Sequence, residues 1–344
     1  MTLHLVTGGT GYLGRHLVAQ LQAAGKDVRV LVRAGSRRDG LEGVDLVEGD
    51  ITDRDALDRA LEGVQRVFHV AAEVRDGQEA AVYDAVNHRA VTTFLELAAQ
   101  REVERFVHTS HYYAIGRSGE PRSAPDFVND EYWTHDPGDM HDAHELSKYD
   151  AENSLNQRVS LSQPVMAIIP TMMYGPQLDE VRGPADLRPG NRIVRMLAEH
   201  AAGEYPGLPG DGRQLWNLVH VEDVAAAHVA VMDAEDLGGW PPPRWGHWHY
   251  ICGGENMRAL ELFEAFGKLA GVSAPKCVKK QGGMFGKLLG GGKDTRSKER
   301  FALDSHSWAF ASALATEDWG YRSRPFAEGL EQTVAWMRSS GLLR

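Results

Sequence analysis

Thr7-Gly8-Gly9-Thr10-Gly11-Tyr12-Leu13-Gly14 separates two different sequence periodicities. Before it, Leu3 to Thr7 is a short apolar run that predicts a buried strand. After it, Leu13, Leu17, Val18, Leu21 and Ala24 recur at helical spacing, and Gly25 closes that helix. Val28-Arg29-Val30-Leu31-Val32 then predicts a second strand. The glycines therefore lie at the turn of a β-α-β unit, the context in which such a loop holds a dinucleotide. Gly8 permits the tight turn. Gly11 lets backbone approach a pyrophosphate, and Gly14 lets helix and strand pack closely. The helix start contributes N–H donors and the positive end of its dipole.

The end of the second strand selects the ribose. A carboxylate there accepts from a free 2′-hydroxyl and repels a 2′-phosphate. This chain has Arg33, with Arg37 and Arg38 close behind, and guanidinium groups pair with phosphate. NADP(H) is therefore expected over NAD(H), against the alternative of a solvated basic loop. The strand-and-helix alternation continues. Val44 to Val47 predicts a strand followed by Gly49-Asp50-Ile51, with Asp50 placed to accept from an adenine amino group. Thr52 and Asp55 resemble a capping box for the next helix. Val67 to Val70 ends at the small Ala71-Ala72, which leaves room for a ligand at a strand's C-terminal end. A helix carrying Asn87 and the strand Arg105 to His108 follow.

Composition restricts the classes. At 344 residues, and roughly 150 per domain, the chain fits two domains or one with an added lobe. The division expected is 1–175 for dinucleotide binding and 176–344 for substrate, with 214–234 returning to the first. Acidic residues number 48 and basic ones 37, so the net charge of −11 disfavours a nucleic-acid partner. Cys252 and Cys277 are too few for a disulfide framework and predict reduced thiols. There is no signal-peptide pattern, and the longest apolar runs, such as Val165 to Ile169, fall far short of a membrane span. A cytoplasmic protein without an integral membrane segment is expected.

The chain resembles the extended short-chain dehydrogenase/reductase family, also called the NAD-dependent epimerase/dehydratase family. The glycine loop, Gly49-Asp50-Ile51, His69-Val70-Ala71-Ala72, Val86-Asn87 and Phe106-Val107-His108-Thr109-Ser110 carry the likeness in the first third. Ser147-Lys148-Tyr149-Asp150-Ala151-Glu152, Pro170 with Tyr174-Gly175-Pro176, and Val219-His220-Val221-Glu222-Asp223-Val224 extend it. Trp319-Gly320-Tyr321 and Glu328-Gly329-Leu330 carry it nearly to the end. The resemblance implies an α/β fold, a doubly wound Rossmann sheet with a smaller mixed α/β substrate lobe, and suggests a homodimer. The cofactor set it outlines is Gly8, Thr10, Gly11, Tyr12, Leu13, Gly14, Arg33, Arg37, Asp50, Ile51, Ala71, Ala72, Asn87, Lys148, Pro170, Met172 and Met173.

In that family a Tyr four residues before a Lys moves the proton, and a Ser or Thr after the fifth strand holds the reacting oxygen. Here Lys148 matches, but His144 stands at the Tyr position and His111 at the Ser position, after Thr109-Ser110. Three readings follow. His144 replaces Tyr as the proton-exchanging group, with Ser110 or His111 on the oxygen. Alternatively, His144 is pocket wall and Tyr112 or Tyr113 supplies a phenol. In the third, the site is inactive and the protein is a non-catalytic NADP-binding regulator. A redox-neutral epimerase, lyase, isomerase or cyclase is a further alternative. His141, one turn before His144, raises zinc as a minor option, though no metal is expected. His247-Trp248-His249 reads as a strand pair rather than a ligand set.

Sugar-nucleotide members carry an Arg a few residues before the His-Val-x-Asp motif, where this chain has Trp216. Tyr112, Tyr113, Tyr132, Trp133, Met140, Met172, Met173 and Trp216 instead suggest a hydrophobic small-molecule substrate, in the style of the 3β-hydroxysteroid dehydrogenase and dihydroflavonol reductase branches. The catalytic candidates are His144, Lys148, His111 and Ser110, and Tyr112, Tyr113, Trp133, Met140 and Trp216 are the substrate candidates. Gly282 to Gly292 reads as a flexible segment placed to cover the site.

Overall fold

The computed structural model describes residues 2–117, 128–131, 140, 142–161, 163–234, 248–278 and 298–343. Tyr132, Trp133, His141, His247 and the segment 282–292 lie outside the described residues.

Seven parallel strands make the main sheet: β1 (Leu3–Thr7), β2 (Asp27–Val32), β3 (Asp45–Glu48), β4 (Arg66–His69), β5 (Arg105–Thr109), β6 (Val165–Pro170) and β10 (His249–Cys252). Their order is β10-β6-β5-β4-β1-β2-β3. The chain reverses direction across the sheet between β1 and β4. The crevice at the C-terminal ends of those two strands is where such sheets take their ligands. β1 and β4 are central and almost fully buried, which explains their continuous apolar runs.

One face of the sheet is covered by α1 (Tyr12–Ala23) and α8 (Val221–Asp233). Leu13, Leu17, Val18 and Leu21 of α1 pack there beside Val224, Ala227 and Val231 of α8. Burying one such aliphatic side chain contributes about 2 kcal/mol. α8 thus packs onto the first layer, whereas the residues before it, Leu215–His220, form a strand of the other sheet. The other face carries α2 (Arg54–Ala60), α4 (Ala90–Gln100) and α6 (Ala143–Ser160). α2 is capped by Asp53, whose carboxylate accepts from Asp55 N at 2.9 Å. The expected Thr52–Asp55 box does not form, because Asp50 takes both the Thr52 amide and its hydroxyl.

α3 (Ala80–Tyr83) runs into α4 through a π-helical turn, Asp84–Arg89. Such wide turns insert one residue into a helix and often mark functional sites. Here the wide turn contains Asn87. After β5 comes the single turn α5 (Tyr112–Ile115).

The second lobe is built on β7 (Met172–Tyr174), β9 (Leu215–His220) and β11 (Glu255–Arg258), with β9 central, parallel to β7 and antiparallel to β11. β8 (Leu208–Pro209) pairs with β12 (Cys277–Val278). Around them lie α7 (Arg192–Ala201), α9 (Ala259–Ala270), α10 (Lys298–Ser305) and α12 (Phe326–Ser339), while α11 (Ala313–Trp319) packs through Leu314 and Ala315 into the core of the main sheet. The apolar faces of the first four form a separate core around Trp216, Phe263, Phe266 and Trp308. Among the described residues, no helix is long and apolar enough to cross a membrane. Cys252 is a buried free thiol and Cys277 an exposed one.

Candidate active site

The glycine loop fits a dinucleotide. A Cβ built on Gly14 falls 2.1 Å from Gly8 O, and one on Gly8, whose φ is +71°, falls 2.6 Å from Ala71 N. The loop is thus pressed between the end of β4 and the start of α1. Gly11 caps α1 with no side-chain acceptor, so the first amides of the helix are left for a ligand. Tyr12 and Leu13 contribute only backbone here. Leu13 is buried, and the Tyr12 hydroxyl donates to Gly175 O at 2.9 Å. Thr10 is half-buried beside them.

At the end of β2, Arg33 is exposed and makes no ion pair among the described residues. Arg37 pairs with Asp39 at 3.4 Å and lines the rim of the cavity, while Arg38 pairs with Glu48. Asp50 Oδ1 is used by Thr52, and Ile51 packs against the neighbouring core. Ala71 and Ala72 are half-buried at the end of β4.

Asn87 is corrected from cofactor contact to scaffold. Its Oδ1 accepts from Glu73 N at 2.8 Å, and its amide donates to Glu73 O at 3.0 Å and Ser147 Oγ at 3.1 Å. Both amide hydrogens are used inside the protein, so Asn87 ties the loop after β4 to α6.

A cavity of about 1080 Å³ opens beyond β5 and β6. Its wall includes His111, Tyr112, Tyr113, His144, Pro170, Met172 and Met173, all expected near the site. Trp216 is corrected. It is 1% exposed, lies in the second-lobe core and bridges to Trp308, away from the cavity wall. Met140 is half-buried and likewise not part of that wall. Ser110 is 3% exposed and also does not line the cavity. Alternation along the chain after β5 puts His111, not Ser110, on the cavity side.

His144 and Lys148 lie one turn apart on α6, on one helix face. α6 begins at Asp142, whose carboxylate accepts from Glu145 N at 2.8 Å, so the cap fixes the turn that carries His144. Tyr83 stacks on the His144 ring, with centroids 4.8 Å apart and planes 4° from parallel. Tyr113 meets it edge-on at 5.2 Å, and His111 lies 5.5 Å away. The Tyr83 hydroxyl donates to Arg75 O, anchoring the stack. His144 Nε2 is buried and without a hydrogen-bond partner among the described residues.

Electrostatics set the protonation states. Burial, and then the nearby Lys148 charge, hold His144 down to about 3, so its ring is neutral at neutral pH. Burial also pulls Lys148 down to about 8, with Glu152 opposing. The Lys148 charge reaches His69, His108, His111 and His144, and the lysine itself is buried outside the cavity wall. His111 is held well below the ordinary histidine range, chiefly by burial. Its Nδ1 accepts from Tyr113 N at 3.2 Å, which assigns the proton to Nε2 and makes that nitrogen a donor.

The stack makes a prediction. Tyr83→Ala uncovers one face of His144 and should raise its pKa from about 3 towards the ordinary histidine value, while Tyr83→Phe should leave it low. A pH titration of the His144 ring by NMR checks this. An unchanged titration in the alanine variant would show that the phenol ring does not seal the imidazole.

Sequence reasoning did not identify Tyr83 or Arg192. Tyr83 carried no motif. Arg192, on the cavity wall, pairs with Asp304, 112 residues further along the chain.

A profile of the NAD dependent epimerase/dehydratase family matches residues 4–241. The chain is similar to a putative dihydroflavonol 4-reductase of Synechocystis sp., with 32% identity over 79% of this chain and 73% of that protein. It is also similar to sterol demethylase protein B of Methylococcus capsulatus, with 29% identity over 79% and 76%. The crystal structure of gox2253 superposes with a TM-score of 0.80 at 26% identity, covering the whole of both chains. With the parallel seven-stranded sheet, the glycine cradle and Lys148 in place, this chain is an enzyme belonging to the NAD dependent epimerase/dehydratase family.

Proposed function

We propose that the protein is an NADP(H)-dependent oxidoreductase that interconverts a hydrophobic carbonyl compound and its alcohol, using His144 in place of the usual tyrosine. The observation that carries this reading is the convergence of His144, Lys148 and His111 beside a cavity whose mixed wall sets Met172, Met173, Leu187, Ile193 and Met196 among charged side chains. A bound nicotinamide supplies the hydride in reduction and accepts it in oxidation.

The chain's own residues provide the rest. His111 Nε2–H donates to the carbonyl oxygen and holds it, the task serine performs in relatives. A neutral His144 cannot act as a simple imidazolium acid at neutral pH. It can pass a proton, releasing one from one ring nitrogen to the substrate oxygen while the other nitrogen takes one from the Lys148 ammonium. The oxygen gains one proton, Lys148 is left as an amine, and solvent restores it. Oxidation runs the same path backwards. Tyr83 and Tyr113 fix the imidazole plane for this exchange.

The lining supports a hydrophobic substrate over a nucleotide diphosphate. Arg188 is taken by Asp179 at 2.6 Å, Arg75 by Glu73, and Arg195 by the Pro184 and Leu187 carbonyls. A diphosphate would share Arg188 and Arg75 with carboxylates that repel it.

Arg33, with Arg37 beside it, supports NADP(H). Arg33→Ala/Arg37→Ala is expected to weaken NADPH binding by about tenfold or more, the loss of one or two charge-assisted hydrogen bonds. NADH affinity should hardly change. Fluorescence titration with each nucleotide checks it. Equal losses for both would assign the pair to general folding of the loop, and a native preference for NADH would end the NADP(H) reading.

A further inference from the structure

We propose that Arg192, acting beside Tyr112 and backed by Asp304, is a second recognition point that binds an uncharged oxygen acceptor on the substrate. The substrate class is thereby narrowed to hydrophobic compounds with a second carbonyl or hydroxyl a few carbons from the reacting one. The inference rests on the hydrophobic-carbonyl reading above.

Arg192 is the first residue of α7, whose Ile193, Val194, Met196 and Leu197 are buried. Its side chain is 26% exposed on the cavity wall, and Asp304, 4% exposed and part of the same wall, pairs with it. A buried ion pair is weak evidence for a stabilising role, because desolvation offsets its attraction. Two packed apolar side chains would tie α7 to α10 equally well, without desolvating two charges. A guanidinium carries five N–H donors in a fixed fork. Asp304 Oδ1 accepts from Nη2, which leaves other donors of the fork for the cavity, where the Arg192 charge also acts on Tyr112.

Its position is specific. The Arg192 charge is felt at His111, Tyr112 and Tyr113, the wall that faces the reacting oxygen. The ring of His111 is 4.3 Å from that of Tyr112, so the two polar centres are separated by one aromatic side chain. Met172, Met173 and Met196 give the surrounding wall an apolar character. An acceptor without charge suits the site better than a carboxylate, which would meet Asp304 and also Asp76, whose charge couples to both members of the pair.

The test measures dissociation constants of nonan-2-one, nonane-2,4-dione and nonane-2,5-dione by calorimetry, on protein saturated with NADP+ so that no ketone turns over. At least one dione is expected to bind about tenfold tighter than nonan-2-one, the size of a hydrogen bond to a charged donor. In Arg192→Met/Asp304→Leu, which removes both charges of the pair together, that advantage should vanish. Should the double variant not fold, Arg192→Lys decides the matter, because it keeps the charge but loses the fork and should lose most of the advantage. Equal affinities in the native protein would overturn the inference, as would an advantage that survives these variants. Binding of nonan-2-one with no dione preference would leave the hydrophobic reading standing and sink this one. No binding of any ketone would sink both.

Discussion

His144→Phe is expected to lower the turnover of a hydrophobic ketone by about 10²- to 10⁴-fold, the range of a lost proton-transfer group, and to leave NADPH affinity unchanged. Phenylalanine keeps the stack on Tyr83 but offers no nitrogen, so the fold and the cofactor cradle are preserved while the proton path is cut. The native enzyme should also show a telling pH profile. Lys148 carries its proton below about 8 and loses it above. Reduction consumes that proton, so its rate should be full below pH 8 and fall as pH rises through it. Oxidation, which returns the proton, should show the opposite slope. Steady-state kinetics over pH 6–10 read both. If the phenylalanine variant turned over at the native rate, the Tyr112 and Tyr113 phenols would become the proton source. A reduction rate flat through pH 8 would remove Lys148 from the path. Carrying deuterium on the nicotinamide separates the redox-neutral alternative, in which the label returns to the cofactor or to the same substrate molecule instead of appearing in a released alcohol.

Legibility in the sequence followed the range of the interactions. The β-α-β start could be read because each step is local: an apolar run, a glycine turn, then helical spacing in Leu13, Leu17 and Leu21. His144 and Lys148 were found because one helix sets both their spacing and their shared face. Trp216 was misplaced for a physical reason. β9 is the central strand of its sheet and is buried on both faces, so alternation gives no signal about which residues reach a cavity. Asn87 was read as a ligand group because its partners, Glu73 and Ser147, come together only when the π-helical turn packs on α6. Arg192 belongs to no motif and has no local partner in the sequence. Only the fold brings Asp304 to it and turns it inward. β10 joins the edge of the main sheet from the second half of the chain, and no local pattern indicated that pairing.

The other large effect is at the glycine loop, where two forces compete in Gly14→Ala. Gly14 lies inside α1, and alanine favours a helix interior over glycine by about 1 kcal/mol. Its new methyl carbon, however, would sit 2.1 Å from Gly8 O and 2.9 Å from Gly9 Cα. Both are backbone atoms, so no rotamer change relieves the contact. Gly8 cannot retreat either, because its own back is against Ala71 N. The loop must lift away from α1, and overpacking of this kind costs about 1–3 kcal/mol or more. The clash therefore outweighs the helix propensity. NADPH binding should weaken by at least about tenfold, since 1.4 kcal/mol is a factor of ten, and the melting temperature should fall. Gly11→Ala is the graded control. Its methyl meets only Gly8 O, at 3.1 Å, a contact that a few tenths of an ångström relieves, so the melting temperature should fall less. Wild-type NADPH affinity in folded Gly14→Ala would show that the loop's close packing is not what presents its amides to the nucleotide. A larger loss in Gly11→Ala than in Gly14→Ala would point instead to direct contact at Gly11 as the decisive feature.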